Sequence, residues 1–191
     1  IFVNNKYQMK WYKIIPLKMP LDDLLVWARL TQLNTSCYKT TPSTGNNQFT
    51  WLNNAPKELW TEANEIFPCL DYWGSESSTI AQEHGPRVCS VWEYHTGAEL
   101  SPHIDNISGV GGYPGVTSMI IPLIGGFTTS IYTDHTCTEI ADSVTYYPGN
   151  IFVMRNWEMY HSGKPLSGYR LCLHIFSESE CEEQVESIFH D

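Results

Sequence analysis

The chain has 191 residues, 42% of them hydrophobic and 13% aromatic, enough for one packed domain and too much apolar content for a disordered chain. Its formal net charge is −10, from 21 acidic against 11 basic residues; such a surface repels phosphate backbones, and with no Lys/Arg cluster nucleic acid is not an expected partner. No apolar run approaches the ~20 residues of a bilayer span, so no membrane partner is expected, and IFVNNKYQMKWYK at the start is too polar for a signal-peptide core.

In chain order, WYKIIPL (11–17) predicts a strand. LDDLLVWARLTQL (21–33) predicts an amphipathic helix, with Pro20 before it and a paired acidic start. TSCYKTTPSTGNNQF (35–49) is expected as a polar loop. APKELWTEANEIF (55–67) predicts a second helix, with Pro56 early and Pro68 beyond its end. LDYWGSESS (70–78) is expected to be irregular. From about residue 86 short β-rich runs follow one another: 87–95, 115–124, 127–133, 142–148, 150–156 and 168–177. Strands at this spacing, with no helix between them, predict an all-β core rather than parallel βαβ units. The expected fold is mainly β with helical backing: a jelly roll fronted by N-terminal α-helices. One domain is expected over 1–191, with residues 1–85 packing on a core at 86–177 and a tail at 178–191 that ends in a short helix or frays. The six cysteines form no C-x-x-C pair, which argues against a thiolate zinc site and for reduced thiols in a cytoplasmic protein.

One stretch carries chemistry. HIDN places His103 and Asp105 two residues apart, so on a strand both side chains point to one face. Two histidines and one carboxylate on one face of an octahedron are what an oxygen-activating Fe(II) site needs. The third ligand must be a later histidine: His135, His161, His174 or His190. A dicarboxylate co-substrate chelating the metal leaves its far carboxylate to be held, best by the planar fork of an arginine. Of the four, His161 alone has a basic residue at a hairpin distance, Arg170, and the link HSGKPLSGYR reads as strand, turn, strand. That predicts His161 and Arg170 on adjacent antiparallel strands. YRLCLHIF is otherwise apolar on both alternating faces, which predicts a strand covered on both sides with Arg170, Cys172 and His174 sharing one face. His174 is then a core or pocket-wall residue, and Arg155 is expected in a surface salt bridge. The glycine-rich loop 106–115 follows the metal motif directly and is a candidate lid.

The chain resembles the iron(II)- and 2-oxoglutarate-dependent oxygenases, which have the double-stranded β-helix fold, and within them the prolyl-hydroxylase-like branch. VWEYHTGAELSPHIDN is similar to that branch's strand with a Tyr, a glycine turn and His-x-Asp. GNIFVMRNWEMYHSGKPLSGYRLCLHIF is similar to its closing segment with the distal His and the Arg. The resemblance covers about residues 86–177. It implies that His103, Asp105 and His161 bind Fe(II), that Arg170 holds the distal carboxylate of 2-oxoglutarate, and that Tyr94 lies near the co-substrate. It also implies a dioxygenase that uses O2 to hydroxylate an unactivated C–H bond of a small molecule or a peptidyl residue, releasing succinate and carbon dioxide. Many relatives have Ser or Thr where this chain has Cys172. Two rivals stand beside this reading: a cupin-like metal enzyme without 2-oxoglutarate, and a non-catalytic jelly-roll binding module.

Overall fold

The computed structural model describes residues 11–34, 38–39, 46–50, 56–66, 89–104, 117–155, 159–166, 168–176 and 187–189. In order these form β1 (Tyr12–Pro16), α1 (Leu21–Asn34), β2 (Tyr38–Lys39), β3 (Asn46–Thr50), α2 (Lys57–Ile66), β4 (Cys89–Tyr94), β5 (Leu100–His103), β6 (Ser118–Ile124), β7 (Phe127–Tyr132), β8 (Ile140–Tyr146), β9 (Asn150–Met154), β10 (His161–Pro165) and β11 (Arg170–Phe176), then a 3-10 turn at Ser187–Phe189. The strands make two antiparallel sheets. The larger has the order β1-β9-β6-β11-β4-β3-β2 and the smaller β5-β10-β7-β8. From β4 onward consecutive strands, except the β7–β8 pair, cross between the sheets, which is the winding of a double-stranded β-helix, or jelly roll. The helical layer is minor. Among the described residues no helix is long and apolar enough to cross a membrane.

Period-two alternation builds two cores from one sheet. On β11, Leu171, Leu173 and Ile175 face the helices, where they join Leu24 and Ala28 of α1 and Leu59 of α2. Arg170, Cys172 and His174 are the alternate residues and turn toward the smaller sheet, where Cys172 packs with Tyr94, Phe127, Ile131, Tyr146 and Phe152. Asp22 and Asp23 sit in the first turn of α1, where negative charge complements the helix dipole. The buried Glu62 carboxylate of α2 accepts from the backbone N–H groups of Lys18 (2.6 Å) and Met19 (3.2 Å), tying α2 to the link between β1 and α1.

Both expected helices form, as do the expected strands. Three expectations are corrected. The predicted polar loop 35–49 holds β2 and most of β3, because β3 pairs its backbone with β4 (Asn47↔Trp92), and an Asn/Gln-rich strand carries no apolar alternation to announce it. Arg155 is not at the surface: it is 4% exposed and lies over the Phe189 ring at 5.9 Å. Most consequential, β10 and β11 are not adjacent. β10 pairs with β5 and β7, β11 with β4 and β6. The link between them is a corner whose backbone bonds go elsewhere, Leu166 N–H to the Gly126 carbonyl (3.1 Å) and the Gly168 carbonyl from the Thr96 hydroxyl (2.8 Å). Residues 70–78, Asp105, the loop 106–115, Trp157 and His190 lie outside the described residues.

Candidate active site

Two of the expected ligands meet across one sheet. His103, the last residue of β5, is the register partner of His161, the first of β10. Paired residues share a face, and His161 also pairs with Ile131, which is buried in the gap between the sheets. The two imidazole rings therefore stand side by side at that gap, centroids 4.4 Å apart and planes 52° to each other. Each ring is oriented in the same way. His103 Nδ1 lies 2.7 Å from the Ser101 carbonyl and His161 Nδ1 lies 3.0 Å from the Met159 carbonyl. A carbonyl only accepts, so Nδ1 holds the proton and the neutral ring has its lone pair on Nε2. That is how metal-binding histidines are set up by their outer partners. Asp105, two residues beyond His103, is outside the described residues. The other candidates stand apart: His135 is exposed on the turn between β7 and β8, and His174 is on the larger sheet, its ring 5.2 Å from Trp92.

Arg170 enters the same gap from the opposite sheet. It pairs with Tyr94 on β4 and is 0% exposed. Its guanidinium carbon lies 3.4 Å from the Phe127 ring centroid, 5.1 Å from Tyr94 and 5.7 Å from Tyr146. No described residue gives any of its three nitrogens a hydrogen bond. The Tyr146 hydroxyl is close enough to feel the charge without being aligned to accept from it. Aromatic faces return some of the lost hydration by cation–π attraction, yet a buried cation without an anion still costs several kcal/mol. In a protein of net charge −10, this pocket is a local positive well.

Phe127 and Ile131 are the outer two of three inward rows on β7; Thr129 is the middle row, with Gly163 paired beside it. The cation and the two imidazoles thus sit at opposite ends of one inter-sheet gap, with a single row between them. Gly163 is needed there, since a side chain would run into the Phe127 ring on which Arg170 stacks. Cys172 lies between Arg170 and His174 on the same face, and burial pushes its thiol up to about 11, against the pull of Arg170. On the helix side, the Tyr169 hydroxyl accepts from Arg29 (2.7 Å) and donates to Glu93 (2.7 Å), which anchors the residue before Arg170. Tyr94, expected near the co-substrate, is buried with its ring beside the guanidinium. Phe127, Thr129 and Tyr146 were not anticipated as site residues; the alternation of β7 and β8 puts them on an inward face, but nothing in the sequence says which strand they oppose.

No family model matches the chain, and no curated protein matches it. Solved structures do. A non-heme alpha ketoglutarate dependent epimerase from nogalamycin biosynthesis, SnoN, is 13% identical, with 89% of this chain and 78% of that one covered at a TM-score of 0.60. A second structure of SnoN is described as a complex with Fe3+, alpha ketoglutarate and nogalamycin RO. A Pseudomonas putida prolyl-4-hydroxylase is 16% identical over 88% and 92% of the two chains, TM-score 0.55. A Burkholderia pseudomallei oxidoreductase of the 2OG-Fe(II) oxygenase family is 12% identical over 87% and 84%, TM-score 0.53. At these identities the likeness establishes the fold.

Proposed function

We propose that this chain is an Fe(II)- and 2-oxoglutarate-dependent oxygenase that hydroxylates an unactivated C–H bond of a small molecule, such as an amino acid, or of a peptidyl residue. The observation that carries the reading is Arg170: a fully buried guanidinium with no hydrogen-bond partner among the described residues, at the far end of the gap from the His103–His161 pair. A buried cation across the gap from a nitrogen donor pair suits a ligand with a metal-chelating end and a distal carboxylate. The fold shared with 2-oxoglutarate-dependent enzymes agrees with it.

In this reading His103, Asp105 and His161 would hold the iron. The Ser101 and Met159 carbonyls keep both imidazoles in the Nε2-donor tautomer. Arg170 would hold the distal carboxylate of 2-oxoglutarate, and Tyr94 and Phe127 would wall that end against water. Iron and 2-oxoglutarate, when bound, supply the oxidising chemistry with O2, and succinate and carbon dioxide leave. The chain's task is to place substrate, co-substrate and metal in one dry gap.

The test is anaerobic loading with Fe(II) followed by 2-oxoglutarate. A weak metal-to-ligand charge-transfer band in the visible is expected, and His161→Ala should abolish iron uptake and turnover. Iron binding without the band points to a metal enzyme that does not use the 2-oxo acid. Folded protein that takes up no iron refutes the site. Because one structure of this fold is an epimerase, product mass decides the outcome: a gain of one oxygen supports hydroxylation, and an unchanged mass overturns it.

A further inference from the structure

The row of residues that holds the two imidazoles continues past them. His103 pairs with His161, His161 with Ile131 and Ile131 with Asp142, so one line crosses the smaller sheet from β5 to β8. Val144 and Tyr146, the alternate residues of β8, are buried in the gap, so period two turns Asp142 to the same face as the histidines. It is exposed there, because β8 is the edge of its sheet. Neighbouring strands lie ~4.8 Å apart, which puts β8 about 10 Å from β10. Tyr12, on β1 at an edge of the larger sheet, donates its hydroxyl to Asp142 Oδ2 (3.0 Å). The Ser143 N–H donates to Oδ1 (2.7 Å). Burial, and then the bond to Asp142, push the Tyr12 phenol above its ordinary range, so it stays a protonated donor. Among the described residues no cation pairs with Asp142. A carboxylate has about four lone-pair sites, so about two remain open.

We propose that Asp142, steadied by Tyr12, receives a cationic side chain of the substrate, so that the chain acts on a basic amino acid, free or within a peptide. This rests on the function proposed above and names its substrate class. Three features select a cation. Asp142 has open lone pairs and no counter-ion among the described residues. Tyr12 adds a ring, whose face attracts cations, beside that carboxylate. The net charge of −10 draws cations to the rim and turns anions away. The span from β8 to β10 leaves room for several bonds between the charge and a C–H bond held at the histidine pair. A side-chain ammonium or guanidinium meets that span. An α-ammonium arrives with its own carboxylate, which Asp142 repels. Opposite charges then sort the two ligands of one gap: the buried Arg170 takes an anion at the deep end, and the exposed Asp142 takes a cation at the rim.

The test titrates the anaerobic Fe(II) protein, loaded with 2-oxoglutarate, with L-lysine, L-arginine and L-norleucine, each free and as its N-acetyl amide. The change each causes in the charge-transfer band reads its affinity. Norleucine has an unbranched side chain without the charge. At least one basic probe should bind about tenfold or more tightly than its norleucine counterpart, the weight of one hydrogen bond to a charged group. In air the same probe should raise succinate release and gain one oxygen. Preference for the free acids marks a free amino acid as substrate, and preference for the amides marks a peptidyl residue; both support the proposal. Asp142→Asn keeps an acceptor for Tyr12 and removes the charge. It should weaken the basic probe about tenfold and leave norleucine unchanged. A wild-type protein that shows the 2-oxoglutarate band and binds no basic probe better than norleucine overturns the substrate assignment alone. Equal weakening of basic and neutral probes in Asp142→Asn does the same, because it marks the Tyr12–Asp142 bond as a structural strap. A wild-type protein without the band overturns the parent function and the assignment together.

Discussion

Replacing Arg170 with methionine should move stability and ligand affinity in opposite directions. The guanidinium is 0% exposed, with no hydrogen-bond partner among the described residues and the rings of Phe127, Tyr94 and Tyr146 around it. Exchange of buried ionic groups for apolar ones of similar volume is neutral to stabilising by ~1–4 kcal/mol. Loss of the cation–π attraction, carried mainly by the Phe127 face at 3.4 Å, offsets part of that, at ~0.5–2 kcal/mol in all. The net expectation for the ligand-free, metal-free protein is a gain of about 1–2 kcal/mol, which for a chain of this size raises Tm by ~2–8 °C. Co-substrate affinity should collapse. Removing one partner of a buried, hydrogen-bonded charge pair costs ~2–5 kcal/mol, or ~30- to several-thousand-fold in Kd. Calorimetric melting reads the first effect and anaerobic charge-transfer titration the second. A Tm lowered by several degrees with 2-oxoglutarate affinity intact would refute the reasoning, because the cation would then be serving the fold and not an anion.

Three further outcomes follow from the same geometry. Gly125 turns the chain from β6 into β7 at φ +73°, and an added Cβ would lie 2.5 Å from the Tyr169 carbonyl oxygen; Gly125→Ala should destabilise by at least ~1–3 kcal/mol, read as a lower urea midpoint, and an unchanged midpoint would contradict the strain. Gly163→Ala pushes on the Phe127 ring under Arg170 and should cost ~1–3 kcal/mol by overpacking, weakening 2-oxoglutarate more than 2-oxopentanoate in parallel titrations; equal weakening would show that the ring does not position the cation. Alkaline pH should loosen the fold. The Cys172 thiol stands at about 11 against its ordinary 9.0 because of burial, and Tyr169 at about 12 against 10.0 because of burial and its bond to Glu93. Both groups bind their protons more tightly folded than unfolded, so stability is full below about pH 9 and falls as pH rises toward 11 and 12. Urea midpoints at pH 8 and pH 10.5 should differ, with a smaller difference in Cys172→Ala.

How far the sequence reaches depends on which interactions write themselves locally. The alternation in RLCLHIF predicts a strand covered on both faces with Arg170, Cys172 and His174 on one side, and the structure has that arrangement. Both helices are announced by apolar spacing and by their prolines, Pro20 and Pro56. The pairing of His103 with His161 follows the expected constellation, although β5 itself, the four residues LSPH, is too short and too polar to stand out. β3 was hidden for a related reason: NNQFT is a strand only because β4 offers it an edge. Tertiary pairing supplied what propensity withheld.

The relation of β10 to β11 was out of reach for a deeper reason. A run such as HSGKPLSGYR specifies strand, turn and strand, and period two specifies faces. Neither specifies whether the turn folds the second strand against the first or carries it across the gap to the other sheet. That choice is made by partners distant in sequence: Gly126 and Thr96 take the corner's backbone bonds, and Tyr94 and Ile124 take the start of β11. The difference decides how a ligand can be held. On adjacent strands His161 and Arg170 would lie in one sheet and grip one side of a ligand. On opposite sheets they would close on it from both sides, and under the proposed function a dicarboxylate between them would become part of the packing that joins the sheets. Binding energy then appears as fold stability through mass action. Saturating 2-oxoglutarate at about 100 times its Kd should stabilise the Fe(II) protein by about 2.7 kcal/mol. Because that gain scales with affinity, Arg170→Met should lose it at the same concentration. A wild-type melting curve that does not respond to saturating 2-oxoglutarate would mean that no ligand bridges the two sheets.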